Sequence, residues 1–171
     1  MGADGIDHTG DRGLNWHKRA NWPVSATIRS LAISPSDSNV LLAGTASGVF
    51  RSADAGDSWM QVIVSGIHAM VAFAPDDGSR AIAGLRDEGT AGGRAHVLYS
   101  NDSGVTFVES TGITSPVTYS VAVAYAPSLS SRVYVATNNQ AQIWRSDDGG
   151  RTFRAVAGSP MIFGYPVRSS L

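Results

Sequence analysis

The chain has 171 residues, of which 43% are hydrophobic and 16% charged, the composition of a single folded domain rather than of a disordered segment. Its formal net charge is −1 and its basic residues are scattered arginines with Lys18 the single lysine, so neither a nucleic acid nor a membrane surface is expected as partner. There is no cysteine, which excludes disulfide frameworks, thiolate metal sites and cysteine nucleophiles.

Residues 1–11 are polar and Gly-rich, without the apolar run of a signal peptide, and no compartment is indicated. A secreted or periplasmic location would require a leader on a longer parent chain. The longest apolar runs, at 70–73 and 121–125, fall far short of a membrane span.

In chain order, a first partial unit covers residues 5–22. Its segment GIDHTGD aligns with GVFRSAD at 48–54, so the chain is expected to enter in the third strand of a repeat. The next unit, 24–64, holds an apolar run ending at Pro35, a second run at 40–44, a third at 49–52 and a fourth from Trp59. The unit at 67–109 repeats this with runs ending at Pro75, at 81–84 and at 97–100, and a fourth from Phe107. The unit at 118–156 does so with runs ending at Pro127, at 133–137 and at 143–146, and a fourth from Phe153. Residues 166–171 resemble the opening of the first run and predict a partial first strand. No segment carries a sustained helical period with caps, so the expected fold class is all-β, with four short antiparallel strands per unit.

One octapeptide recurs between the third and fourth runs: TGDRGLNW at 9–16, SADAGDSW at 52–59, SNDSGVTF at 100–107 and SDDGGRTF at 146–153. Its aspartates, Asp11, Asp54, Asp102 and Asp148, are spaced by 43, 48 and 46 residues. A near-constant period of this size with four strands per unit is the signature of propeller blades. Each position has a mechanical reason. The Asp accepts backbone N–H groups and closes the turn. Gly13, Gly56, Gly104 and Gly150 supply the positive φ of a compact loop. Trp16, Trp59, Phe107 and Phe153 start the last strand and bury a large apolar area.

The octapeptides resemble the Asp-box (bacterial neuraminidase) repeat, and the Pro-anchored strands resemble the wider sialidase, xyloglucanase-like and sortilin-like propeller group. The resemblance covers nearly the whole chain. It implies a propeller segment of three complete blades and parts of a fourth, with the boxes on the turn between third and fourth strands. It also implies that the four aspartates are structural and that ligands bind at the opposite face. A calcium-loop reading of 146–150 fails, because alternate positions offer a single carboxylate. No metal and no cofactor is expected.

On the face opposite the boxes, the segment 85–95 stands out as an insertion carrying Arg86, Asp87, Glu88 and Arg94, the strongest candidates for ligand contact. Arg29 joins them as a first-strand residue expected to face a propeller's channel. Trp22 and the stretch 161–165 are candidates for stacking on sugars and equally for packing between blades. His8, His17, His68 and His96 read as isolated. No complete acid pair for glycoside hydrolysis is visible, since Asp37, Asp76 and Asp77 fall in first-to-second-strand turns on the box side. No catalytic residue is assigned.

The expected function is a non-catalytic module binding carbohydrate or another protein. The alternative is a fragment of a secreted glycoside hydrolase with an incomplete active site. A photosystem assembly factor with Asp-boxes is a third reading, by fold analogy. Self-association, or packing on further blades of a parent chain, is expected at the open ends.

Overall fold

A computed structural model describes residues 6–19, 22, 27–86, 94–113, 121–137 and 142–157. Strands β1 (Ile6–His8) and β2 (His17–Arg19) form an antiparallel hairpin around the first octapeptide. Three antiparallel four-stranded sheets follow, each with its strands in sequence order. The first contains β3 (Ile28–Ile33), β4 (Leu41–Thr45), β5 (Gly48–Ser52) and β6 (Met60–Ile63). The second contains β7 (Ile67–Phe73), β8 (Ala81–Arg86), β9 (Ala95–Ser100) and β10 (Val108–Glu109). The third contains β11 (Val121–Ala126), β12 (Leu129–Thr137), β13 (Gln142–Ser146) and β14 (Arg154–Ala155). No helix occurs among the described residues.

The core lies between sheets rather than within any one of them. Between the first and second sheets, Leu42 and Val49 meet Val71, Phe73, Ala83 and Leu85. Between the second and third, Ile82 and Val97 meet Val121, Val133, Val135 and Trp144. Strand β8 therefore serves both interfaces. Its alternate residues Ala81, Ala83 and Leu85 face the first sheet and Ile82 faces the third, so every residue from 81 to 85 is buried. That two-sided burial, shared by β4, explains why the second run of the first two units is a continuous apolar stretch, without the alternation of a one-sided strand.

Glycine in the second strand lets neighbouring sheets approach. A Cβ on Gly44 would stand 2.2 Å from the Ala69 carbonyl oxygen of the next sheet. At Gly84 it would stand 2.7 Å from a methyl of Val123. Ser30 ties the first strands of two sheets together, its hydroxyl donating to the Ala69 carbonyl and accepting from the Val71 N–H at 3.0 Å.

Candidate functional site

The four octapeptides form one hydrogen-bonded loop, repeated with little variation. In each, the first-position hydroxyl donates to the aspartate Oδ1, at 2.6 Å from Thr9, 2.8 Å from Ser52 and 2.7 Å from Ser100 and Ser146. The same hydroxyl oxygen accepts the N–H of the fifth-position glycine at 2.8–2.9 Å. The aspartate Oδ1 also accepts the backbone N–H of Asn15, Ser58, Thr106 or Thr152. Its Oδ2 accepts from the side chain of that same residue.

Hydrogen bonds to the charged form hold these carboxylates below their ordinary value of 3.8. Asp11 is drawn to about 2, chiefly by the Thr9 hydroxyl, and Asp54 to about 2, chiefly by the Ser58 hydroxyl. In Asp102 and Asp148 burial opposes the shift, but the bonds from Thr106 and Thr152 outweigh it and the net direction is still downward.

The glycine at position five has a positive φ in all four loops, between 78° and 96°. Position four shares this conformation even where it is not glycine, with φ of 61° at Arg12, 57° at Ala55 and 60° at Ser103. The octapeptide pattern leaves that position unconstrained, and sequence reasoning missed it. In three of the loops the position-four N–H, of Ala55, Ser103 and Gly149, donates to the first-to-second-strand turn of its own sheet, at Asn39, Ser79 and Ser131; Arg12 takes the same φ in a two-stranded hairpin, so the conformation belongs to the loop itself. The fifth-position glycines then face the preceding sheet. A Cβ on Gly104 would lie 2.8 Å from Leu42, and one on Gly150 2.6 Å from Ile82. The aromatics differ: Phe153 is buried, Trp59 and Phe107 are half-buried, and Trp16 is exposed, contrary to the expectation that each buries a large area.

The opposite ends of the sheets carry a depression of about 360 Å³ between the first and second sheets. Its floor is apolar, from Ile63, Leu85 and Leu98, and Ser65, His96 and Glu109 supply its polar rim. Gly66, with φ of 87°, turns the chain from β6 into β7 at one wall, where a Cβ would crowd the Leu85 side chain at 3.0 Å. His96 Nδ1 and Glu109 Oε1 are 2.9 Å apart, so His96 is not isolated as the sequence suggested. Glu109 opposes Leu98 in the β9–β10 register, and His96 lies two residues from Leu98 on the same face. No local motif announces a pair made this way, because it depends on strand register. His8 likewise meets His17 across β1–β2, with ring centroids 5.7 Å apart.

The predicted contact residues divide around this depression. Arg86 ends β8 beside it, its carbonyl 3.2 Å from where a Gly66 Cβ would stand, and Arg94 is exposed immediately before β9. Neither side chain lines the depression. Asp87 and Glu88 lie outside the described residues, as do residues 161–171. Arg29 sits at the irregularity of β3 between Ile28 and Ser30, exposed, on the same side as Leu31 and Ile33. It therefore stands at the position that Ala69 and Val121 fill between sheets. Trp22 packs against Phe50 and edge-on against Trp59, at centroid distances of 5.4 and 5.2 Å, a packing role rather than a platform for sugars. Asp37 and Asp77 lie in the first-to-second-strand turns, where each accepts the N–H two residues on. No cluster of three or more His, Asp or Glu suited to a metal occurs among the described residues.

No protein-family model matches the chain, and no curated protein does. Solved structures do. The chain is similar to an ancestral GH74 enzyme, with a TM-score of 0.78 and 23% identity over 91% of this chain and 22% of that one. It is similar to the GH74 xyloglucanase from Xanthomonas campestris, with a TM-score of 0.67 and 19% identity over 93% of this chain and 28% of that one. It is also similar to YCF48 bound to D1 peptide, with a TM-score of 0.55 and 18% identity over 78% of this chain and 42% of that one. The chain thus spans less than half the length of each. Identities this low establish the fold alone: the chain is an all-β propeller segment, its three four-stranded sheets are blades, and the β1–β2 hairpin is part of a fourth.

Proposed function

We propose that this chain is a non-catalytic Asp-box propeller module that binds a ligand at the face opposite its octapeptide loops. The observation that carries this reading is the depression between the first two blades. An apolar floor with a few polar groups at its rim suits a ligand that presents both an apolar face and hydroxyl groups, as a sugar does. Among the described residues one carboxylate, Glu109, lines it, and it is paired with a histidine. Paired acids across a cleft, which glycoside hydrolysis requires, are not provided by the described lining. The octapeptide aspartates act as loop staples, since their oxygens are engaged by their own loops.

The test is calorimetric titration of the chain with neutral oligosaccharides, xyloglucan fragments among them. Saturable binding is expected, weakened about ten-fold, or roughly 1.4 kcal/mol, by His96→Ala or Glu109→Gln. Neutralising Asp87 and Glu88 together is expected to weaken it further. No binding at millimolar sugar, or binding indifferent to all four positions, would overturn the carbohydrate reading.

A second reading is that the chain is part of a secreted glycoside hydrolase. It is favoured by the likeness to GH74 enzymes, of which this chain spans only 22–28%. Turnover of a reporter glycoside by a longer parent chain would establish it, and inactivity there would remove it.

A further inference from the structure

Each blade meets the connection from the preceding blade beside one residue of its third strand. That residue stands opposite Ala43, Ala83 or Val135, and is Phe50, Leu98 or Trp144 in the three blades. The connections differ in length: residues 20–27 join β2 to β3, 64–66 join β6 to β7, and 110–120 join β10 to β11. Both long connections bring an apolar side chain to the blade that follows. Trp22 sits on Phe50 and edge-on to Trp59, at centroid distances of 5.4 and 5.2 Å. Ile113 packs against the cluster that holds Trp144 and Phe153. It is anchored by Thr111, whose N–H donates to the Arg151 carbonyl and whose carbonyl accepts the Phe153 N–H at 2.8 Å.

The short connection brings none. Val64 is 80% exposed, Ser65 stands at the rim of the depression, and Gly66 has no side chain to offer. The third-strand residue at this junction is Leu98, smaller than its counterparts, and it is half-buried where Phe50 is 3% and Trp144 5% exposed. The depression of about 360 Å³ is thus the slot that the chain plugs with its own side chains at the other two junctions, here without a plug. Its rim is also particular to this junction. The places of His96 and Glu109 are held by Gly48 and Gln61 in the first blade, and by Gln142 and Ala155 in the third. Gln61 donates its amide to the Ser47 and Ile63 carbonyls, whereas Glu109 turns to His96.

We infer that the depression seats an aromatic ring, and that its ligand is a glycoside with an aromatic aglycone. The ring lies on the floor of Ile63, Leu85 and Leu98, and the sugar hydroxyls meet His96 and Glu109. This rests on the reading that the depression is the ligand site, and names the part of the ligand that it holds. The ring is specified from within the chain, since the plug of the counterpart slot on Phe50 is the indole of Trp22. Chemistry points the same way. A pyranose presents C–H groups and stacks on the π face of an aromatic side chain, but this floor is aliphatic and presents C–H groups itself. The π face must then come from the ligand. At the rim, the Glu109 carboxylate is largely exposed and accepts hydroxyl hydrogens, with the His96 imidazole 2.9 Å from it.

Matched phenyl and methyl β-glycosides of glucose and of xylose separate the ring from the sugar. Calorimetric titration of the chain is expected to show the phenyl member of a pair binding ~10-fold more tightly, from burial of the ring. Leu98→Trp gives the second blade the residue that the third has at this place. It is expected to fill the floor and bring the phenyl-to-methyl ratio close to one, with circular dichroism checking that the variant stays folded. His96→Ala alters the rim alone and is expected to weaken both members alike, leaving the ratio unchanged. Equal affinity for the two members would overturn the inference and leave the carbohydrate reading standing. A phenyl preference that survives in folded Leu98→Trp, or collapses in His96→Ala, would also overturn it, by placing the ring elsewhere. Binding of neither member at millimolar concentration would overturn both.

Discussion

The two ends of each blade are built on opposite plans. At the octapeptide end, each loop closes on itself through a buried serine, or Thr9 in the hairpin, and an aspartate; three of the four also bond to the neighbouring turn, and Gly104 and Gly150 pack onto the preceding blade. At the other end, the connections vary in length, and the contact between His96 and Glu109 has no counterpart in the first blade, where Gly48 and Gln61 hold those places. Sequence repeats where hydrogen bonds leave no choice and varies where a ligand could be met.

Substitutions should break this contrast in graded fashion. The largest effect is expected for Gly104→Val. It forces a β-branched residue into φ of 78° and places its Cβ 2.8 Å from Leu42, which is fully buried. A loss of about 3 kcal/mol or more is expected in urea denaturation, as for other overpacked and strained sites. Next comes the loop hydroxyl. Ser146→Ala removes a donor to Asp148 and an acceptor for two backbone N–H groups in a buried setting. It should cost about 1–2 kcal/mol. Ser65→Ala, at the rim of the opposite depression, should stay within about 0.5 kcal/mol. If the two serines proved equivalent, the contrast between the ends would fail.

Acid offers a gentler probe. Asp11, Asp54 and Asp147 have folded-state values of about 2 against an ordinary 3.8. For Asp147 the largest cause is the bond from Arg132. A lowered carboxylate binds its proton less readily in the folded state. Its stabilisation is therefore complete above the unfolded value and lost as pH falls from near 4 toward 2. Stability followed by circular dichroism should decline across that window, with a shallower slope in Asp54→Asn.

Much of this was legible before any coordinates. The four octapeptides announced their own loops, because an aspartate accepting from residues two and four positions away is a short-range event written in adjacent side chains. The apolar runs announced four strands per unit. The positive φ of Arg12, Ala55 and Ser103 was not legible, since residue type at that position varies between arginine, alanine and serine. Nor was the pairing of His96 with Glu109, which depends on strand register, or the packing of Trp22 on Phe50 and Trp59. Arg29 shares a blade face with Leu31 and Ile33.

By itself, then, the sequence determined the repeat, the fold class and the chemistry of each loop, all of which rest on contacts within a few residues. Only the tertiary structure decided what each apolar residue touches. Leu42, Ile82 and Tyr134 hold one position in three successive blades, yet two are fully buried and the third is exposed. The physical reason is that burial belongs to a pair of surfaces. A strand pattern specifies which face is apolar, while the neighbouring blade decides whether that face meets protein or water.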